Sequence, residues 1–270
     1  MDGYTLPTGR PVIMGVLNVT PDSFSDGGLY VNQEAAFARA MEMIQEGADI
    51  IDVGGESTRP GAEPVLADEE RRRVVPVIAR LADKDVAVSI DTSKAVVAQA
   101  CLDVGATIVN DVTALGDPAM AQTCSKADCS VCLMHMQGEP RTMQVSPTYS
   151  DVVLDVKEAL VERAKFAQSK GIAKDRIWID PGIGFGKTLE HNLSLLRNLD
   201  TFAETGYPVM IGVSRKSFLG NILKIAPVEE RIEGAIAAQV LALAKGARIF
   251  RTHDVKNTVR ALCVAQAILG

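Results

Sequence analysis

The sequence predicts a single (β/α)8 TIM barrel, an α/β fold in one domain over residues 1–270. Three observations predict it. Short runs rich in Val and Ile recur eight times, each followed by a polar loop and then a helical pattern. The runs are nearly all apolar and do not alternate, as expected of parallel strands covered on both faces. No Pro/Ser-rich linker, low-complexity tract or compositional shift divides the chain, so the eight units read as one closed barrel. A doubly wound open sheet shares the same local pattern. The count of eight, and the lack of a Gly-rich phosphate fingerprint after the first run, favour closure.

The first run, PVIMGVLNV at 11–19, leads into the loop TPDSFSDGGLY and a helical pattern over 33–46. ADIIDVGG at 48–55 is followed by the loop ESTRPGAEPV and a helix over 68–82. VAVSIDT at 86–92 precedes a helix over 93–104, and TIVNDVT at 107–113 a short, weak crossover near 118–126. SVCLMHM at 130–136 is paired with a helix over 151–170, and RIWIDPG at 176–182 with one over 189–203. PVMIGVS at 208–214 precedes a helix over 228–245, and RIFRTHD at 248–254 one over 256–268. Gly47, Gly105 and Gly246 each fall between a helix and a strand, where the left-handed C′ position favours glycine.

A composition of 47% hydrophobic and 23% charged residues suits a folded chain with a sizeable core. The net charge of −6 argues against a surface that grips nucleic acid, while leaving room for a local pocket for a small anion. No cationic segment followed by an apolar stretch opens the sequence, and the most apolar segment, 234–247, is short and interrupted by Gln239 and Lys245. The expectation is a cytoplasmic protein with no membrane partner. Five cysteines, an odd number, suit reduced thiols. Cys129 and Cys132 form a lone C-x-x-C inside a strand, read as buried thiols and not as a zinc or redox pair.

Strand starts are apolar and strand ends are loaded. The ends carry Asn18, Glu56 with Thr58 and Arg59, Asp91, Asn110, Asp180, Arg215 with Lys216, and Arg251 with His253. All strands of a parallel barrel end on one face, so these residues converge there. Any one of them reads as a helix cap or loop residue, but seven strand ends together read as a pocket.

Arg251 and His253 share a face of an extended strand and suit a phosphate. Asn18 offers a neutral oxygen of the kind Mg2+ accepts, so a diphosphate held between the two fits. Asp180 and Asn110 match the edge of a cyclic amidine or amide ring, Lys216 can donate to a ring carbonyl, and Asp91 adds negative charge. The two long loops after the first and second strands read as lids, although DSFSDGG alone also fits an ordinary turn.

No Ser/His/Asp or Cys/His relay stands among the strand ends, so covalent catalysis by a side chain is not required. Neither Lys216, beside Arg215, nor Lys94 reads as the desolvated amine of a Schiff-base aldolase. His191 reads as a solvated helix residue. The facing of His135 stays open.

The segments MGVLNVTPDSFSDGG, IIDVGGESTRPGA, SIDTSKA, VNDVTAL, LMHMQGEPRTMQ, DPGIGFGKT, GVSRKSFLG and RTHDV resemble successive signatures of the dihydropteroate synthase family over essentially the whole chain. The resemblance implies condensation of 6-hydroxymethyl-7,8-dihydropterin diphosphate with p-aminobenzoate, releasing pyrophosphate, in folate biosynthesis. It also implies a TIM barrel, Mg2+ dependence, a homodimer through late helices and sulfonamide sensitivity.

By that resemblance Asp91, Asn110, Asp180 and Lys216 bind the pterin. Thr58, Arg251 and His253 contact the diphosphate, and Asn18 is the metal ligand. Phe24, Arg59, Pro60, Phe185, Lys216 and Ser217 wall the p-aminobenzoate pocket. Asp91, Lys216, Arg251 and His253 are expected to serve catalysis, through an SN1-like displacement. A corrinoid-dependent methyltransferase built on a related barrel, and a pterin-binding homologue without turnover, are the rival readings.

Overall fold

The structure, a computed structural model, describes residues 4–20, 28–57, 62–138, 142–225 and 227–270. Each apolar run forms a strand: β1 (Val12–Asn18), β2 (Ile50–Gly54), β3 (Ala87–Asp91), β4 (Ile108–Asp111), β5 (Ser130–Met134), β6 (Ile177–Asp180), β7 (Val209–Gly212) and β8 (Ala247–Thr252). The strands are parallel and close in chain order into a barrel, with β1 pairing both β2 and β8.

Around them run α1 (Gly28–Gln45), α2 (Ala67–Leu81), α3 (Ala95–Leu102), α4 (Met120–Ala127), α5 (Val152–Ser169), α6 (Leu189–Arg197), α7 (Asp200–Ala203), α8 (Ser217–Leu223), α9 (Ile232–Ala244) and α10 (Val255–Leu269). Among the described residues no helix is long and apolar enough to cross a membrane.

The apolar runs fail to alternate because the strands bury side chains on both faces. Outward residues such as Ile51, Val53, Val88, Ile90, Leu133, Ile179 and Ile211 join the large core under the helices. Inward residues form a second cluster of Val12, Met14, Ile50, Ile108, Cys132, Trp178, Met210 and Ile249 that fills the lower barrel. Tyr4 and Leu6 pack beneath that cluster. The Tyr4 ring stands edge-on to Trp178 with centroids 6.0 Å apart, and its carbonyl accepts from Ser130 Oγ at 2.9 Å. Burial, with Asp49 nearby, pushes the Tyr4 hydroxyl up to about 12.

Cys129, just before β5, and Cys132, within it, are buried free thiols, Cys129 in the outer core and Cys132 in the inner one. Two thiols facing apart cannot share a metal or a disulfide.

The helices depart from expectation in four places, the first being α1, which begins at Gly28 and not at Gln33. The helix expected over 189–203 is two, α6 and α7, because Asn198 leaves helical angles and turns its side-chain amide back to Ser194 O at 2.8 Å. The first turn of the helix expected over 228–245 is 3-10, Glu229–Arg231, before α9 begins. The short α8 was not expected at all. His191 is not simply a solvated helix residue: its Nδ1 accepts from Thr188 N at 3.3 Å in a capping box, and its ring meets Tyr149 edge-on at 5.0 Å.

Candidate active site

The inward parity that fills the lower barrel continues upward and changes chemistry. Two residues after Ile50, Ile108, Trp178 and Ile249 come Asp52, Asn110, Asp180 and Arg251, and Asp91 ends β3 opposite Gly54 and Asn110. A polar layer therefore lies directly on an apolar one. Asp52 is 0% exposed, Asn110 and Asp180 3% and Asp91 9%, so each group must be satisfied by its neighbours or by a ligand.

Arg251 ties the layer together. Its Nε donates to Asp52 Oδ2 at 2.7 Å and its Nη2 to Asp91 Oδ2 at 2.6 Å, while Asn110 Nδ2 donates to the same Asp52 oxygen at 3.0 Å. Burial opposes the Arg251 charge, but the two carboxylates outweigh it and hold its pKa above the ordinary value. Burial pushes Asp91 up to about 7; Arg251 pulls it down, and Asp52, Glu70 and Asp111 push it up further. Asp180 is raised by burial too, against Lys216 and the amide of Gly182, which donates to its Oδ1 at 2.7 Å.

Two strand glycines stand beside these groups. A Cβ on Gly54 would lie 3.7 Å from Asp91 Oδ2 and 3.8 Å from Asn18 Oδ1; one on Gly212 would lie 3.8 Å from both Lys216 Nζ and Arg251 Cβ. Gly54 thus borders both Asn18 and Asp91, and Gly212 both Lys216 and Arg251.

The β6 loop, from Asp180 to Lys187, wraps back over the mouth. Gly182 and Gly186 take φ of +68° and +61°, where a Cβ would sit 1.9 Å from His135 O and 2.5 Å from Gln137 O. Only glycine permits both the left-handed angle and the close pass. Lys187 pins the loop from inside, with Nζ 2.8 Å from Phe185 O, 3.3 Å from His135 O and 3.1 Å from His135 Nδ1. Burial lowers Lys187 to about 7, and lowers His135 to about 4 with help from the Lys187 charge.

Lys216, the N-cap of α8, donates to Ile183 O and lies 4.6 Å from the Phe185 ring centroid. Lys216 is half-buried, so the expectation that it is not desolvated is corrected in part. Burial lowers it to about 8, against the pull of Asp180.

The β2 loop is rooted by an ion cluster. Lys94 pairs with Glu56 and, at 2.6 Å, with the buried Glu70, while Glu56 Oε1 accepts from Val65 N at 2.9 Å and closes the loop ends. Burial opposes the Lys94 charge and the two carboxylates restore it, raising its pKa. Beyond β7, Ser214 Oγ lies 3.2 Å from His253 Nδ1 and 3.3 Å from Asp254 Oδ2.

A family model described as pterin binding enzyme matches residues 14–253. The dihydropteroate synthase of Escherichia coli K12 is 47% identical over 269 residues, covering 99% of this chain and 95% of that protein. The chain belongs to the dihydropteroate synthases of the pterin-binding enzyme family. It is an enzyme of that family.

Among solved structures, Yersinia pestis dihydropteroate synthase in a sulfonamide drug complex superposes with a TM-score of 0.93 at 46% identity, over 98% of this chain and 97% of that one. The Xanthomonas albilineans dihydropteroate synthase in complex with 7,8-dihydropteroate superposes with a TM-score of 0.88 at 44% identity, over 96% and 94%.

The structure gathers Asn18, Asp91, Asn110, Asp180, Lys216, Arg251 and His253 at one end of the barrel. Phe185 is half-buried and Ser217 exposed, both at the rim beside Lys216. Phe24, Thr58, Arg59 and Pro60 lie outside the described residues. Sequence reasoning overlooked Asp52, Glu70, Lys187 and Ser214. Asp52 had a signal, a charge in the middle of the apolar run IIDVG at the same parity as Ile50. Glu70 had none, since an acidic first turn of a helix normally faces water.

Proposed function

We propose that the mouth of this barrel joins 6-hydroxymethyl-7,8-dihydropterin diphosphate to p-aminobenzoate, giving 7,8-dihydropteroate and pyrophosphate in folate biosynthesis. The observation that carries the reading is the buried layer of Asp52, Asp91, Asn110, Asp180 and Arg251 in a chain of this family. The complex of the Xanthomonas enzyme with 7,8-dihydropteroate supports it. A corrinoid-dependent methyltransferase is not favoured, because the relatives that match nearly end to end are dihydropteroate synthases.

In this reading Asp180 and Asn110 take the amidine edge of the pterin, and Lys216 donates to its ring carbonyl. Arg251 spends Nε and an Nη2 proton on Asp52 and Asp91, which leaves Nη1, with His253 and Thr58, for the diphosphate. Phe24, Arg59, Pro60, Phe185 and Ser217 form the p-aminobenzoate wall.

Mg2+ belongs to the proposal. The donors near Asn18 are oxygens, which fit a hard cation, with Asp91 Oδ2 across Gly54. Among the described residues no group of three or more His, Cys, Asp or Glu could itself hold a metal ion. In this proposal the protein supplies Asn18, and substrate and water the remaining ligands. When bound, the ion supplies neutralisation of the charge that the diphosphate gains on leaving.

The displacement is SN1-like: the C–O bond to the diphosphate breaks first, taking the electron pair with the leaving group. The pterin-methyl cation left behind is balanced by Asp91 and Asp180, until the arylamine nitrogen forms the C–N bond with its lone pair and the proton it sheds passes to solvent. A homodimer and a cytoplasmic location are part of the same proposal. The packed pair α9 and α10 leaves Leu241, Val264, Ile268 and Leu269 exposed, an apolar surface of the kind that a second copy covers.

Pyrophosphate release from the pterin diphosphate, followed with and without p-aminobenzoate, tests the function; release that ignores p-aminobenzoate would overturn it. Positional 18O exchange between bridging and non-bridging diphosphate oxygens, without p-aminobenzoate, tests the stepwise path. No exchange at all would overturn that path.

A further inference from the structure

The turn that follows β7 is built around a hydroxyl. Ser214 is 6% exposed, and its Oγ meets three groups at once: the backbone N–H of His253 at 3.2 Å, Nδ1 of the His253 ring at 3.2 Å, and Asp254 Oδ2 at 3.3 Å. The turn is held in place around it. Arg215 takes φ +63°, uncommon for a non-glycine residue, and is fixed there by its ion pair with Asp254 at 2.8 Å and by Arg231 Nη1 donating to its carbonyl at 3.1 Å.

A hydroxyl has one proton to give and two lone pairs to receive with. The backbone N–H of His253 can only donate, so it takes one lone pair. The Asp254 carboxylate can only accept, and a charged acceptor outcompetes a neutral imidazole nitrogen for the Ser214 proton. What faces Nδ1 is then the second lone pair, so Nδ1 must carry a hydrogen. We propose that Ser214 and Asp254 are positioning residues that fix His253 as the Nδ1–H tautomer, leaving Nε2 as the one ring atom able to accept a proton.

The consequence bears on the leaving group, and this part rests on the reading of His253 as a diphosphate contact. With Nδ1–H committed to Ser214, a proton gained by the ring goes to Nε2, on the side away from the turn. The imidazolium then donates through Nδ1 to Ser214 and through Nε2 to the departing diphosphate. Ser214, with Asp254 behind it, stabilises that doubly donating form. The opposite tautomer would put the basic nitrogen against Ser214, where no ligand reaches.

The test is a two-bond 1H–15N correlation spectrum of the full-length, ligand-free protein labelled at its three histidines, with His253 assigned by its loss in His253→Asn. At alkaline pH His253 is expected to show a protonated Nδ1 and an unprotonated Nε2. Ser214→Ala is expected to convert it to the Nε2–H form, and Ser214→Thr to preserve it. Should Ser214→Ala fail to fold, Asp254→Asn gives the same readout, because an amide can donate to Oγ and return the hydroxyl proton to Nδ1. A wild-type His253 in the Nε2–H form, or no change in the variant, overturns the proposal.

Titration with pyrophosphate and Mg2+ separates this from the reading beneath it. Pyrophosphate is expected to bind about tenfold more weakly to Ser214→Ala, with Ser214→Thr restoring it. If the tautomer is as stated but the His253 signals do not move on saturation, the diphosphate role fails and the positioning stands.

Discussion

Arg251 and Asp52 are joined by a 2.7 Å hydrogen bond between β8 and β2, the two strands that flank β1. Asp52 is wholly buried, and the same oxygen also receives Asn110 Nδ2. Its other oxygen has no hydrogen-bond partner among the described residues. Removing a partner from a buried pair strands a charge in low dielectric. Asp52→Ala is therefore expected to lose about 3 kcal/mol of stability, and Asp52→Asn less, since the shape remains. Both should weaken pterin binding, because Arg251 and Asn110 lose their common anchor. Urea midpoints and pterin affinity check this, and a variant as stable as the parent with unchanged affinity would count against it.

Gly182 passes His135 with no room for a methyl group. Gly182→Ala adds a Cβ 1.9 Å from a backbone carbonyl at a φ that also disfavours alanine. The expected cost is more than about 3 kcal/mol, with loss of the β6 loop geometry that presents Asp180 and Phe185. Thermal unfolding measures it. A shift of only a degree or two would show that the loop has another arrangement available.

Lys187 makes stability depend on pH in a predictable direction. Its amine titrates at about 7 in the folded protein against an ordinary 10.5. Between those values the unfolded chain holds the proton and the folded one does not, so the unfolding free energy rises with pH. That contribution is fully present above 10.5 and is lost as pH falls through 7. Lys187→Met lacks the group, so its stability deficit relative to the parent should grow between pH 7 and 10, by a few kcal/mol on the order-of-magnitude scale of about 1.4 kcal/mol per pKa unit. Parallel denaturation curves across that range would refute the assignment.

Trp178, the single tryptophan, reports on the barrel interior. Its emission is expected to be blue-shifted and resistant to acrylamide, and to shift red in one step with unfolding. Tyr4→Ala should cost about 2 kcal/mol and admit quencher, since it removes the ring that stands edge-on to the indole. Equal quenching in both proteins would mean that Tyr4 does not seal the base.

The strands were legible because burial on both faces leaves short unbroken apolar runs, rich in Val and Ile and bounded by turn residues. The polar layer was half legible. Asn110, Asp180 and Arg251 stand at run ends, where a polar group is conspicuous, whereas Asp52 lies inside its run and becomes visible only once Ile50 is known to face inward. Parity along a strand fixes facing relative to neighbours and not to the barrel axis, which is also why His135 could not be assigned. Ser214 was hidden for another reason: a serine in a turn looks like any other until the ring and carboxylate from 39 and 40 residues away arrive on it. The short α8 escaped notice because seven residues give too few turns for a period to emerge.

Tyr4, Leu6 and the apolar layer above them close the barrel from below, so among the described residues the polar layer at Asp52 is approached from the strand ends. Ligands that enter from one side stack in the order of their depth. On the assignment proposed above, the pterin occupies the far wall and the arylamine stands in the threshold, so the pterin has to arrive first. The joined product must then back out whole, the arylamine end leading, before another turnover begins.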